Sequence, residues 1–164
     1  MSGFLVYIFF PHNLFIQSKK NLVYLPSMRL FPTKTFTRNS FIPFARFVIF
    51  VIYVWFGTLK IIDVSSAEPL VLQLKNVTLP FISFEMFYQF FAGFEILIGL
   101  LFLIPKLTKL ACTLLLIHLF TTILPLIFLI ETTWQSMMIP TLVGQYIIKN
   151  LVILATAWGI YAHE

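Results

Sequence analysis

The sequence is poor in charge, and this excludes most soluble proteins. Only 10% of its 164 residues are charged, against about a quarter in a typical soluble domain, while 60% are hydrophobic. So few charged side chains cannot supply the polar surface that a soluble globule needs, and the excess apolar surface must face lipid. A soluble globular enzyme is therefore excluded, and the chain length is typical of one domain.

The sequence also has few residues that could hold a redox centre. Its single cysteine, Cys112, lies in an apolar run, which excludes an internal disulfide, a CxxCH haem attachment and an iron–sulfur ligand set. Of the three histidines, only His118 lies where a membrane interior could bury it, which argues against a bis-histidine haem or a copper site. We expect no metal site and no covalently bound cofactor.

What the sequence does contain is a series of long apolar runs. Four of them have the length of about 20 residues that a membrane-spanning helix needs, at residues 44–62, 84–104, 110–130 and 141–161. Prolines flank several of these runs, Pro43 before the first span among them, and Pro125 inside the third predicts a kink. The predicted fold class is all-α, an integral membrane four-helix bundle embedded in a lipid bilayer.

The positive charges predict how the helices are oriented. Before the first span and between the second and third, seven basic residues face one side: Lys19, Lys20, Arg29, Lys34, Arg38, Lys106 and Lys109. The opposite side receives only Lys75, so both termini are predicted to be cytoplasmic. This topology accounts for most of the net charge of +5, and no basic helix with interleaved aromatics suggests binding to nucleic acid.

Two segments lie outside the predicted spans. Residues 1–40 form a basic, Phe-rich extension ahead of a membrane domain at 41–164, and translation that begins at Met28 is an alternative start. In the linker from Asp63 to Ser83, Ser66 stands shortly before Pro69, a pattern that indicates a short interfacial helix.

Ionisable residues within the spans are the candidates for function. Charge in a lipid core is costly unless it faces other helices and finds partners. Counted from the outer ends of their spans, Glu95, His118 and Lys149 lie at similar depths, so we predict a buried cluster of these three, with Lys60 closer to the outer surface. Polar residues on the same helix faces are predicted to support it: Tyr53, Tyr88, Thr121, Thr122, Gln145 and Asn150.

Two interpretations of this cluster remain open. Glu95 and Lys149 could form an interhelical ion pair that only fixes packing, with His118 hydrogen-bonded to a neighbouring carboxylate or carbonyl group. Alternatively, three ionisable groups at one depth form a protonatable site that binds a quinone headgroup or relays protons.

Several stretches of the sequence resemble the DoxX family of small bacterial membrane proteins. They are YVWFGTLK at 53–60, AEPLV at 67–71, GFEILIGLLFLIPKLTKLA at 93–111, HLFTTILPL at 118–126 and PTLVGQYIIKNLVIL at 140–154. The resemblance covers about residues 44–161. It implies a four-helix bundle in the bacterial cytoplasmic (inner) membrane, an acidic residue in the second helix, here Glu95, and a basic residue late in the first, here Lys60.

The resemblance also implies a class of function. Family members have been linked to quinone-dependent oxidation of sulfur compounds and to membrane complexes of thiol or oxidant defence. We therefore expect a membrane subunit or accessory of a redox complex, which contacts quinone and receives electrons from a partner protein, with a homo-oligomer as a further expected association. The alternatives are a small-solute or proton-pathway transporter and a structural or assembly factor.

Overall fold

Four long helices dominate the computed structural model, which describes residues 34–163. The elements are α1 (Lys34–Ile61), α2 (Glu68–Thr78), α3 (Phe84–Phe102), a 3-10 turn (Pro105–Leu107), α4 (Thr108–Ile123), α5 (Pro125–Phe128), α6 (Ile130–Thr133), β1 (Trp134–Ser136), β2 (Ile139–Pro140) and α7 (Leu142–Ala162). Residues 38–164 belong to one compact unit; of the preceding unit, residues 1–37, only the helical residues 34–37 are described. The predicted alternative start at Met28 and nearly all of the predicted extension lie outside the described residues.

The four predicted spans are confirmed by length and composition. The apolar helical segments long enough to cross a membrane are Asn39–Ile61, Phe84–Phe102, Pro105–Phe128 and Leu142–Ala162. The chain is thus a multi-pass membrane protein. The first span begins earlier than predicted, because Pro43 lies inside α1 and not at its boundary. Proline removes one backbone hydrogen bond but has a helical φ, so a long apolar helix can continue through it.

Pro125 divides the third span. α4 ends at Ile123 and α5 begins at Pro125, so the predicted kink takes the form of a break between two helices. Proline has no N–H to donate to the preceding turn, which explains why the hydrogen-bonding pattern stops there.

The helix predicted in the linker is present as α2, with Pro69 in its first turn, where its missing N–H costs nothing. α2 contacts α3 and α5, and the Thr132 hydroxyl donates a hydrogen bond of 3.0 Å to the Gln73 side chain. The segment after α5 therefore lies at the same end of the spans as α2. We call this end the α2 side.

A short β-hairpin on the α2 side was not predicted. Its strands β1 and β2 pair antiparallel, with Trp134 opposite Pro140, and Met138 in the turn has a positive φ of 65°. The Trp134 indole N–H donates to the Leu126 carbonyl at 3.0 Å. The sequence signal was weak because the turn residues are Met137 and Met138, where a two-residue hairpin usually has Gly or Asn.

Glycine lets α1 and α3 pack closely. A Cβ placed on Gly57 would lie 2.7 Å from the Ile96 side chain and 2.8 Å from the Ala92 carbonyl oxygen, and one on Gly99 would lie 2.9 Å from Val54. α4 in turn packs against both α3 and α7. The buried core therefore draws side chains from all four long helices, among them Ile49, Ile98, Leu115 and Ile160.

Candidate functional site

Lys60, Glu95 and His118 meet in a buried chain of hydrogen bonds. The Lys60 ammonium group lies 2.6 Å from one carboxylate oxygen of Glu95, and Nε2 of His118 lies 3.1 Å from the other. The three residues are only 4%, 6% and 4% exposed. α1, α3 and α4 each contribute one of these side chains, so the chain joins three helices.

Tyr53 extends this chain of hydrogen bonds back to α1. Its hydroxyl lies 3.2 Å from Nδ1 of His118, and it stands two turns before Lys60 on the same face of α1. We call Tyr53, Lys60, Glu95 and His118 the polar cluster. Its contacts run from Lys60 on α1 to Glu95 on α3, then to His118 on α4, and from there to Tyr53 on α1.

One arrangement of protons satisfies every group in the polar cluster. Glu95, as a carboxylate, accepts from the Lys60 ammonium group and from the Nε2–H of His118, and Nδ1 of His118 accepts from the Tyr53 hydroxyl. In this arrangement His118 is neutral and the charges of Lys60 and Glu95 cancel. That balance is what allows an ionised pair to be buried within the spans.

Aromatic rings surround the cluster. The Phe91 ring stacks on the His118 ring with centroids 5.0 Å apart, and Phe94 lies 6.2 Å away. Tyr53 meets the His118 ring edge-on at 5.2 Å, while the Lys60 ammonium group lies 5.8 Å from the centre of the Phe91 ring. These rings keep the polar groups in an apolar environment, where hydrogen bonds and ion pairs are stronger than in water.

Lys149 is not part of this cluster, and here the prediction is wrong. Its side chain is exposed and lies over the Tyr146 ring at 4.7 Å. α7 turns Gly144, Ile147, Ala157 and Ile160 inward. Lys149 follows Ile147 by two residues, or about 200° around the helix, and so points away from the other helices. Gln145 is exposed as well.

Lys60 takes the place in the cluster that was predicted for Lys149. We expected Lys60 to lie near the outer surface, but it is buried. Side chains lean toward the N-terminus of their own helix. α1 ends at the α2 side and α3 begins there, so Lys60 leans into the spans while Glu95 leans toward the α2 side. The two side chains therefore meet, although Lys60 is the penultimate residue of its helix.

The remaining predicted residues lie on α3, α4 and α7. The Thr121 and Thr122 hydroxyls donate to carbonyls of their own helix, at His118 and Leu119, and the Asn150 amide donates to Thr122 at 3.4 Å. The Asn150 contact connects α7 to α4, and Thr121 reaches only the backbone of His118, so none of these hydrogen bonds involves a side chain of the cluster. Tyr88 is buried on α3, and its hydroxyl has no hydrogen-bond partner among the described residues.

A second buried cation, Arg46, was not among the predicted site residues. Its guanidinium group donates to the Phe102 carbonyl at 2.8 Å and to the Thr108 hydroxyl. Arg46 lies on α1 fourteen residues before Lys60, about 21 Å along the axis, toward the opposite end of the spans. The signal that could have identified it is a charged residue inside the first predicted span, about 40° around the helix from Lys60.

Within residues 34–163, no group of three or more His, Cys, Asp or Glu side chains is placed to hold a metal ion. Comparison with known proteins found no matching family model, no matching curated protein and no matching solved structure.

Proposed function

We propose that this chain is a DoxX-type four-helix bundle of the bacterial cytoplasmic membrane, with both termini inside, and that it is the membrane subunit of a quinone-linked or thiol-defence redox complex. The observation that carries the proposal is the polar cluster, a buried carboxylate bonded to both an ammonium and an imidazole group within the spans. Ionisable side chains at such a depth mark functional sites more often than packing sites.

The chemistry of the cluster suits a quinone headgroup. Reduction of a quinone to a quinol consumes two electrons and two protons, and both protons must reach the carbonyl oxygens. The Glu95 carboxylate and the neutral His118 imidazole can each take up a proton and then pass it to the headgroup, and Phe91 and Phe94 supply faces on which a flat ring can stack. The two electrons would come from a redox partner protein, and the substrate oxidised by that partner would be a thiol or another reduced sulfur compound.

A binding titration tests this proposal. Full-length protein in nanodiscs is titrated with a short-chain quinone analogue, and the quenching of tryptophan fluorescence is followed. We expect Glu95→Gln and His118→Ala to weaken binding by on the order of tenfold or more, since each removes a charge-assisted hydrogen bond. Glu85→Gln, an exposed glutamate on the same helix, is the matched control. Equal affinity in all four proteins would remove the quinone site.

The paired state of the polar cluster favours a second candidate, a structural or assembly factor in which the cluster only locks three helices together. Every group in the cluster has a partner, and buried pairs of this kind persist without any ligand. The double variant Lys60→Met with Glu95→Leu separates the two. If the cluster only locks the helices together, the protein tolerates this apolar replacement and keeps its cellular function. If the cluster binds quinone, the protein loses its function.

A further inference from the structure

The Tyr88 hydroxyl is an unsatisfied polar group in a well-packed place. The residue is 2% exposed, its ring stacks on Phe84 at 5.0 Å, and among the described residues its hydroxyl makes no hydrogen bond. Leaving a buried hydroxyl without a partner costs free energy, so such a group normally bonds to an ordered water or a ligand. This position therefore calls for a small polar partner.

A second buried hydroxyl stands beside Tyr88. Ser65 follows α1, is 8% exposed, and approaches the Tyr88 hydroxyl without reaching hydrogen-bond geometry. The Ser65 oxygen accepts the Ala67 N–H at 3.3 Å, which leaves its own hydroxyl hydrogen to donate elsewhere. A water molecule needs two or more polar partners to be held inside a protein, and these two hydroxyls supply them.

Tyr88 lies between the α2 side of the spans and the polar cluster. It lies seven residues before Glu95, two turns along the same face of α3 and toward the α2 side. Asp63 is exposed and Glu68 is half-buried between the end of α1 and the start of α2, whereas Glu95 is buried farther along α3. Each Glu95 oxygen already accepts one hydrogen bond from the cluster, and a carboxylate oxygen can accept another.

We propose that the Tyr88 and Ser65 hydroxyls hold bound water, and that this water connects Glu95 to the membrane surface on the α2 side as the route by which the polar cluster exchanges protons. The inference rests on the proposed function, since only a cluster that works with protons needs the route. Each proton accepted by an oxygen along the route releases another toward the next oxygen, so no charge accumulates. Tyr88 is a positioning residue, because it holds the water and does not itself contact a quinone.

Exchange of the ring N–H proton of His118 with water measures this route directly. Full-length protein labelled with ¹⁵N-histidine is reconstituted in nanodiscs, and the exchange rate of the His118 Nε2–H is followed by NMR. The signal is assigned by its loss in His118→Gln. No quinone is present, so the result does not depend on whether quinone binds.

We expect Tyr88→Phe to slow this exchange by on the order of tenfold, because it removes a hydroxyl that holds the water while keeping the ring on Phe84. Ser65→Ala, which removes the second hydroxyl, is expected to slow it less. Tyr161→Phe, at a half-exposed tyrosine near the end of α7, is the matched control and should leave the rate unchanged.

The outcomes separate this inference from the proposed function. Unchanged or faster exchange in both Tyr88→Phe and Ser65→Ala would overturn the route, and so would a signal broadened equally in these variants and the wild type. Slower exchange together with unaltered quinone binding in Glu95→Gln would support the route and remove the quinone site.

Discussion

Two buried cations on α1, Lys60 and Arg46, are held in different ways. Lys60 pairs with a carboxylate that also bonds an imidazole, so its partners can change their protonation. Arg46 donates to a backbone carbonyl at the end of α3 and to the hydroxyl of Thr108 at the start of α4, so these two hydrogen bonds hold it against the ends of two neighbouring helices. The difference teaches that burial of a charge does not by itself indicate function. The observation that points to function at Lys60 is that its partner carboxylate also bonds an imidazole, and both of those groups can carry a proton.

The largest effect is expected from removal of the Glu95 carboxylate. Glu95→Leu leaves the Lys60 ammonium group buried without its counter-ion, which should lower the free energy of unfolding by about 3–5 kcal/mol. Chemical denaturation in detergent micelles checks this value, with Glu85→Leu on the exposed face of α3 as the control. A loss of stability as small as that of the control would show that Lys60 is not held by Glu95.

The next effect concerns the close approach of α1 and α3 that brings Lys60 and Glu95 together. Gly57→Ala places a Cβ against Ile96 and the Ala92 carbonyl, and the strain should cost about 1–3 kcal/mol. Gly93→Ala on α3 meets open space and should stabilise the helix by about 0.5–1 kcal/mol. Thermal unfolding of both variants measures the contrast. Equal shifts in Tm would mean that the two helices do not pack at Gly57.

A smaller effect is expected at Arg46, the other buried cation on α1. Arg46→Lys keeps the positive charge but loses the planar fork that reaches two acceptors, and we expect a loss of about 1–2 kcal/mol in stability. Quinone affinity and the exchange rate of the His118 ring proton should both stay at the wild-type values. A change in either would show that Arg46 and the polar cluster form one connected system.

The smallest effect is expected at Lys149. Its contact with the Tyr146 ring is an exposed cation–π interaction, so Lys149→Gln should change stability by about 0.5–1 kcal/mol at most. The variant should bind the quinone analogue as the wild type does, whereas Lys60→Gln should not. Weakened binding in Lys149→Gln would restore Lys149 to the site that the sequence predicted.

Most of the architecture was predictable because lipid imposes strict rules on sequence. The four spans and the linker helix α2 follow from apolar length and from Pro69, which are local properties. The hairpin was missed because its turn residues, Met137 and Met138, carry no turn signal. The first span was placed too late because Pro43 was interpreted as a boundary, although a helix can contain proline at the cost of one hydrogen bond.

The candidate site was predictable only in part. Glu95 and His118 stand out in any scan for ionisable residues in apolar runs. The choice between Lys60 and Lys149 as the third member depended on the rotation of each helix about its axis. Depth along a helix can be counted from the sequence, but rotation is set by which face packs against its neighbours, here the Gly144, Ile147 and Ala157 face of α7.

The sequence by itself determined that this is a membrane protein with four spans and that a carboxylate and an imidazole lie inside them, because hydrophobic length and the cost of buried charge act residue by residue. Only the tertiary structure decided that Lys60 is the cation that meets Glu95, that Tyr53 bonds His118, and that the buried Tyr88 hydroxyl has no hydrogen-bond partner within residues 34–163. These are contacts between helices distant in sequence. They depend on close packing at Gly57 and Gly99, which no local pattern specifies.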